Sequence, residues 1–249
     1  MTTLSDTSTW LPLDGLAPGF DQNKAPTVTD LDGHAFELDG RRVRFTGTDV
    51  EWDGTHPCET FAVDDDLYYS QFHPGGREAV SLFLDLRSNR ALVVTTTIND
   101  TGTPRVTQRF TPLALPGATG TAPAPSRALI GRRAMWVYST EHAYEHVYLS
   151  PHWYTWQCLA GPERGLADTD ENTTYQLRPG IYVFTWREKV IPCAAVTVAD
   201  HRDVTRLRSH GALFGLDESG ETPTHFTFGA HGRLLSATVH PEALDPAGD

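Results

Sequence analysis

The sequence predicts an all-β protein made of two antiparallel β-barrels in tandem, produced by an internal duplication. Short runs rich in Val, Thr, Tyr, Phe and Trp recur along the 249-residue chain, bounded by Gly, Pro, Asp and Asn, and helical periodicity is hard to find. A stretch rich in Pro, Gly, Ala and Thr divides the chain near its middle. The same order of landmarks follows on each side of this stretch. Barrels are favoured over sandwiches because closure removes exposed strand edges.

Candidate strands fall into two series, one on each side of the central stretch. The first series is Arg42 to Thr46, Glu59 to Val63, Leu67 to Phe72, Ala79 to Asp85, Ala91 to Thr97 and Val106 to Thr111. The second series is Ala134 to Tyr138, Ala143 to Leu149, Trp153 to Leu159, Thr173 to Leu177, Ile181 to Arg187, Ala194 to Val198, Thr224 to Phe228 and Arg233 to Val239. The predicted division is an irregular segment at 1–30, a first barrel at 31–111, a linker at 112–126 and a second barrel at 127–249.

The two copies differ in length between matching landmarks. Gly40 to Leu67 spans 27 positions, whereas Gly131 to Ile181 spans 50, so the second copy carries 50 − 27 = 23 more residues there. Four of the six tryptophans lie between Gly131 and Trp186. An aromatic pocket is therefore expected in the second barrel.

Composition excludes several classes of partner. A net charge of −12 disfavours nucleic acid and anionic lipid surfaces. No apolar stretch has the roughly 18 to 20 residues of a membrane helix, and the N-terminus lacks the features of a signal peptide, so we expect a cytoplasmic protein. The three cysteines are too few and scattered for a disulfide framework. A small molecule is the expected partner.

Strand alternation predicts an aromatic wall that ends in an acid. Tyr182, Phe184, Trp186 and Glu188 share one face of their strand, because successive side chains point to opposite faces. Two more strands place further residues together, namely Tyr144, His146 and Tyr148, and Tyr154, Trp156 and Cys158. Mostly apolar walls with a few polar groups are typical of small-molecule sites.

Glu188 is the leading candidate for catalysis. A carboxyl group at the end of an apolar face is desolvated, which raises its pKa and suits it to acid–base work near neutral pH. The alternative is that Arg187, Glu188 and Lys189 form a solvated charge cluster. His146 is a candidate proton donor, and its alternative is a hydrogen-bonded core residue.

The acidic run and the cysteine of the second half are interpreted as structural, and several catalytic motifs are missing. The acidic run Asp168 to Glu171 is interpreted as a turn, in which Asp168 or Asp170 caps backbone N–H groups. Cys158 is interpreted as a core residue. The chain lacks the glycine-rich nucleotide-binding motifs, the His-Glu-x-x-His zinc motif and the Gly-x-Ser-x-Gly elbow. Neither a metal nor a cofactor is expected.

Several motifs resemble the MoaF family over nearly the whole chain. They are Pro18 to Phe20, Asn23, Tyr144 to Leu149, Tyr154 to Gly161, Gly165 to Asp170 and Trp186 to Lys189. Membership implies two lipocalin-like (calycin-type) halves.

The second half, from Met135 to about Ser209, is also distantly similar to phenolic acid decarboxylases, lipocalin-like barrels that act without a cofactor. This resemblance places their catalytic glutamate on Glu188 and their tyrosine-bearing first strand near Tyr138, while their catalytic arginine falls near Leu166. In the first half, the glutamate position falls on or beside His73.

The preferred hypothesis is a cofactor-independent lyase or isomerase that acts on a small aromatic or unsaturated carbonyl compound. Glu188 would move a proton, while Tyr138, Tyr148 or His146 would orient the substrate oxygen. The predicted substrate-binding residues are Tyr144, Tyr148, Tyr154, Trp156, Phe184 and Trp186. The main alternative is a non-catalytic binding protein with the same cavity, and a third hypothesis makes the first barrel a docking surface. A homodimer is left open by analogy.

Overall fold

A computed structural model describes residues 10–248 and contains two antiparallel sheets, as the sequence predicts. The first sheet runs β1 to β8 in chain order and is nearly closed. Its strands are β1 (Ala35–Leu38), β2 (Arg41–Thr46), β3 (Asp49–Glu51), β4 (Thr55–Asp64), β5 (Leu67–Gly75), β6 (Glu78–Asp85), β7 (Arg90–Ile98) and β8 (Val106–Ala114).

The second sheet closes into an eight-stranded barrel, because β12 pairs with β13 and β17 pairs with β10. Its strands are β9 (Ala124–Pro125), β10 (Arg132–Val137), β11 (Ala143–Tyr148), β12 (Trp153–Ala160), β13 (Ala167–Arg178), β14 (Ile181–Arg187), β15 (Cys193–Asp200), β16 (Leu207–Leu216) and β17 (Pro223–Ala237). The short β9 pairs with the outer part of β13 and stands outside the closed ring. A 3-10 turn, Glu242–Leu244, follows.

Two strand predictions in the second barrel need correction. The two runs predicted at Thr224 to Phe228 and Arg233 to Val239 form one continuous strand, β17. Strand β16 was not predicted, because its glycines and histidine weaken the strand pattern. Gly211 is required there by packing, since an added Cβ would lie 2.7 Å from the ring of Phe228.

The N-terminal segment packs on the second barrel although it precedes the first in sequence. Its one helix, α1 (Leu13–Leu16), contacts β16 and β17. The side chains of Leu13, Leu16 and Phe20 are buried in the core of the second barrel. We call residues 10–23 the strap, because they cross this end of the barrel and Asn23 Nδ2 donates a 3.0 Å hydrogen bond to the carbonyl oxygen of Val137. None of the helices within residues 10–248 is long and apolar enough to cross a lipid bilayer.

The two barrels pack through equivalent strands. The outer faces of β5 and β6 carry Tyr69 and Phe83, which lie in one apolar cluster with Val183 and Val198 from β14 and β15. The internal repeat in the sequence aligns β5 with β14 and β6 with β15. The two barrels therefore contact each other through equivalent strands of the duplicated unit.

An ion-pair network borders this interface. The guanidinium group of Arg178, at the end of β13, donates to Asp85 at 2.7 Å and to Asp64 at 2.8 Å, and both acids belong to the first barrel. Arg202 also donates to Asp64. Burial alone would raise the pKa of Asp85, but the hydrogen bonds from Arg178 outweigh it, so that the pKa lies below its usual value.

Candidate active site in the second barrel

The strap and the inner face of the second barrel enclose an aromatic cavity. Its free volume is about 40 Å³, which is room for about three water molecules. Trp10, Leu16 and Phe20 of the strap form one side. The barrel supplies Tyr138, Tyr144, His146, Tyr154, Trp156, Glu163, Trp186, Glu188, Ile191, Cys193, Leu213 and Phe228.

Glu188 lies inside the barrel, as the alternation along β14 predicts. Its side chain is 8 % exposed, and Trp186 Nε1 donates a 2.8 Å hydrogen bond to Glu188 Oε1. Burial and the nearby charge of Asp170 hold the pKa of Glu188 well above its usual value. The solvated alternative is therefore wrong, because the side chain is buried and its protonated form is favoured.

Asp170 stands directly behind Glu188, and the turn predicted around it is wrong. It lies in the middle of β13 and is 0 % exposed. Its carboxylate accepts hydrogen bonds from Trp156 Nε1 at 2.9 Å and from the backbone N–H of Lys189 at 3.2 Å. Burial raises the pKa of Asp170, and its nearby charge in turn helps to raise the pKa of Glu188.

The hydrogen-bond donors around the two acids differ in number. Asp170 receives two N–H donors and Glu188 only one, so the donors stabilise a negative charge better on Asp170 than on Glu188. Glu188 Oε2 has no hydrogen-bond partner among the described residues.

A third acid, Glu163, closes the cavity near the strap. It lies in the turn between β12 and β13 and is 4 % exposed. Its carboxylate accepts a 2.9 Å hydrogen bond from the hydroxyl group of Tyr144, and the backbone N–H of Leu11 in the strap lies near enough to lower its pKa. Burial raises its pKa. Glu163 therefore joins the strap to the barrel.

The predicted partners of Glu188 occupy different positions. Tyr138 and His146 line the cavity, and the hydroxyl group of Tyr138 forms no hydrogen bond within residues 10–248. His146 is 5 % exposed, and burial followed by the nearby His201 lowers its pKa to about 3, so the ring is neutral. Its Nδ1 atom has no partner in the described part of the chain.

The predicted substrate-binding residues divide into two groups. Tyr144, Tyr154, Trp156 and Trp186 line the cavity. Tyr148 and Phe184 are buried in the same core but are not part of the cavity lining. Their rings pack edge to face, with ring centroids 4.9 Å apart.

Cys158 is a buried thiol in this barrel, as predicted. Burial raises its pKa to about 11, and the thiol donates to the carbonyl oxygen of Ala160 at 3.3 Å. The group is therefore protonated at neutral pH and is a poor nucleophile.

The interior of the first barrel differs from that of the second because apolar side chains fill it. They include Val43, Phe45, Phe72 and Leu82. The residue at the position matched to Glu188, His73, lies on the outer face and packs against His225 of the second barrel, with ring centroids 3.6 Å apart.

No described residue supplies a cation or a metal-binding cluster to the cavity. Neither Lys nor Arg occurs among its lining residues. Within residues 10–248 there is no group of three or more His, Cys, Asp or Glu residues arranged to hold a metal ion.

Sequence reasoning missed Asp170, Glu163 and the strap. Asp170 has a signal in hindsight, because Asp168, Asp170, Asn172 and Thr174 alternate with the residues between them once β13 begins at Ala167. Glu163 lies in a turn, where side chains do not alternate between two faces. The sequence therefore gives no sign that its carboxylate reaches the cavity.

Fold and site together define a tandem β-barrel protein whose second barrel holds an aromatic cavity with a buried pair of acids. The sequence matches the MoaF N-terminal domain over residues 8–100 and the MoaF C-terminal domain over residues 123–238. The chain belongs to the MoaF family.

Two individual proteins show similarity to parts of the chain. Protein MoaF of Klebsiella aerogenes is 38% identical over 135 residues, which are 54% of this chain and 50% of that protein, so the chain spans about half the length of this curated relative. A crystal structure described as a putative beta-lactamase from Burkholderia vietnamiensis superposes with a TM-score of 0.35 and 14% identity, and covers 43% of this chain and 95% of that one. This likeness is too low to carry an argument.

Proposed function

We propose that the second barrel is a cofactor-independent lyase or isomerase, in which Glu188 transfers a proton to or from a small aromatic or unsaturated carbonyl compound. The observation that supports this most directly is the burial of Glu188 beside Asp170, both of which raise its pKa. A carboxyl group with a raised pKa keeps a proton to donate closer to neutral pH, and its carboxylate is a stronger base than an ordinary one.

The polar groups around the cavity suit a carbonyl compound. The hydroxyl group of Tyr138 and a neutral His146 face the same space as Glu188, and each can donate a hydrogen bond to a substrate oxygen. The surrounding rings exclude water, which strengthens such bonds. Removing a proton beside a carbonyl group, or adding one to a conjugated double bond, requires this combination of acid and donor.

The lining also limits the substrate. A carboxylate would bind poorly beside two acids with no lysine or arginine in the lining. The position matched to the arginine of phenolic acid decarboxylases falls near Leu166, a buried apolar residue. We therefore favour an uncharged carbonyl group over a phenolic acid as the reacting group.

Entry of a substrate requires movement of the strap, because the cavity has free volume for only a few water molecules. Trp10 is one of the strap residues that line it, and its ring meets Trp156 edge to face with centroids 5.3 Å apart. Displacement of Trp10 and Phe20 would widen the cavity.

The test is turnover of cinnamaldehyde-like and dienone-like compounds, whose absorbance changes when the conjugated system reacts. We expect the Glu188→Gln variant to lose about 10²- to 10⁴-fold in kcat, because a positioned acid or base contributes that much. A matched control is Glu171→Gln, on the outer face of β13, which should leave kcat unchanged. Full turnover by the Glu188→Gln variant would eliminate the mechanism.

The second candidate function is binding without catalysis. The cavity is mostly aromatic, and barrels of eight strands commonly enclose one small ligand. This function predicts ligand-dependent thermal stabilisation with no chemical change in any bound compound, and the same panel of compounds separates the two.

A further inference from the structure

The charges around the cavity are all of one sign. Glu163 and Glu188 line it, Asp170 lies behind Glu188, and the lining contains no basic side chain within the described chain. The nearest basic residues along the sequence are engaged elsewhere, since Lys189 pairs with Asp168 at 2.9 Å and Arg187 with Glu171 at 3.3 Å. The cavity therefore presents acidic side chains and no basic side chain to a ligand.

The aromatic side chains that line the cavity also favour a positively charged ligand. Eight of the lining side chains are Trp, Tyr or Phe, namely Trp10, Phe20, Tyr138, Tyr144, Tyr154, Trp156, Trp186 and Phe228. The face of an aromatic ring is electronegative and attracts cations, most strongly where water is excluded. Rings and carboxyl groups thus favour the same kind of ligand.

Two buried polar atoms at the cavity lack a partner. They are Glu188 Oε2 and His146 Nδ1, on side chains that are 8 % and 5 % exposed. Burial keeps the imidazole neutral, so that one of its ring nitrogens offers a lone pair. A ligand rich in N–H donors would satisfy both atoms.

We propose that the compound bound in this cavity carries a positive charge on nitrogen, as an ammonium or iminium group, held by Glu188 and Glu163 within the aromatic ring cluster. This rests on the proposed function and specifies its substrate class, an amino- or imino-substituted aromatic or unsaturated carbonyl compound.

The bound cation changes the state of the acid pair. Placed beside Glu188, its positive charge favours the ionised carboxylate, and the proton of Glu188 passes to solvent. Glu188 becomes a carboxylate and is then able to act as a base. Binding of the charged group thus activates the catalytic residue.

Groups from every wall face Glu188. They are Asp170 from β13, Tyr154 from β12, His146 from β11, Tyr138 from β10, Cys193 from β15 and Glu163 from the β12–β13 turn. Burial raises the pKa values of the thiol of Cys193 and the hydroxyl group of Tyr154, and lowers that of His146. Of these groups, the carboxyl groups are the ones that gain negative charge as pH rises, because burial keeps the imidazole, the thiol and the hydroxyl group neutral. Cation binding should therefore strengthen as pH rises from 6 to 8.

The experiment is calorimetry of the full chain with three probes of one shape, namely benzylammonium, benzyl alcohol and benzoate. We expect benzylammonium to bind at least tenfold more tightly than benzyl alcohol, and benzoate to bind more weakly still. Titrations in phosphate and in a sulfonate buffer should show release of about one proton per benzylammonium bound. The Glu188→Gln variant should lose that release, while Glu171→Gln should keep it.

Equal or tighter binding of benzyl alcohol or benzoate, no proton release, or no binding of any probe at millimolar concentration overturns the inference. The turnover assay is independent of it. Loss of carbonyl turnover in Glu188→Gln without any preference for the cation refutes the charge inference alone. Preference for the cation without turnover of any compound refutes the proposed reaction and leaves a cation-binding barrel.

Discussion

Glu188 and Asp170 are neighbouring buried acids inside the second barrel, and each accepts a hydrogen bond from the indole N–H of a different tryptophan. Two neighbouring buried acids cannot both ionise without a large cost, so burial and the charge of Asp170 together favour the protonated form of Glu188. Trp156 and Trp186 fix the two carboxyl groups in this arrangement. The folded protein accepts an electrostatic cost at this site, which is typical of functional positions.

Removing the acid should stabilise the fold. Because the folded pKa of Glu188 is raised, the folded state holds a proton that the unfolded state loses above pH of about 4.5, and stability falls as pH rises from there toward the folded pKa. Glu188→Gln keeps a donor toward Asp170 and an acceptor for Trp186 but does not titrate. We expect its Tm at pH 8 to exceed that of the parent by about 2–4 °C for each kcal/mol recovered.

Calorimetric melting at pH 5 and pH 8 checks this prediction. The difference in Tm between the variant and the parent should grow with pH. Glu171→Gln serves as the control, because its carboxylate is half-exposed on the outer face. A difference that stays constant between the two pH values would contradict a buried, titrating Glu188.

Neutralising the other acid should shift the acid–base behaviour of Glu188. Asp170→Asn removes the negative charge that helps to raise the pKa of Glu188, so that this pKa falls toward its usual range while burial still holds it high. Infrared difference spectroscopy should show the protonated carboxyl band of Glu188 disappear at a lower pH than in the parent. The control is Asp168→Asn, which removes a surface partner of Lys189. An unchanged band would place the two carboxyl groups out of contact.

The inward face of β14 follows from the sequence because alternation along one strand is a local rule. Tyr182, Phe184, Trp186 and Glu188 are all buried on the same side, whereas Val183 lies in the interface with the first barrel. Both faces of this strand are buried, yet the inward position of Glu188 at its end can be predicted without knowing which strands pair with β14.

Asp170 is different because its environment depends on residues distant in sequence. Asp, Asn and Thr favour turns on propensity alone, and only pairing with β12 and β14 holds this run as a strand. The donors that stabilise Asp170 come from Trp156 and from the backbone of Lys189. The packing of the strap is harder still to predict, because the whole first barrel lies between residues 10–23 and the second barrel in the sequence.

Opening the strap should enlarge the cavity. Phe20 is 3 % exposed and packs on Tyr138 with ring centroids 4.9 Å apart, so Phe20→Ala removes a wall of the site. We expect a loss of about 3 kcal/mol in the free energy of unfolding, together with faster uptake of an aromatic probe, measured by quenching of tryptophan fluorescence. Trp153→Ala is the control, because that ring is 43% exposed. Uptake at the parental rate would show that ligands enter elsewhere.

Cutting the link between the barrels should uncouple their unfolding. Arg178 is 10% exposed and neutralises Asp64 and Asp85 of the first barrel, so Arg178→Met leaves Asp85 buried without its partner. Breaking a buried pair in this way costs about 3 kcal/mol, the lower end of the usual range, because Arg202 remains on Asp64.

We expect the parent to melt in one transition and Arg178→Met in two, with the first barrel melting earlier. The pH dependence has a definite sign. The pKa of Asp85 is depressed in the folded parent, so its contribution to stability is present above pH of about 3.8 and is lost as pH falls through the folded pKa. The variant should therefore lose stability less steeply than the parent on acidification. Arg206→Met, whose side chain is 87% exposed, should melt like the parent. One cooperative transition at an unchanged Tm in Arg178→Met would mean that the apolar cluster around Tyr69 and Val198 holds the barrels together without the ion pairs.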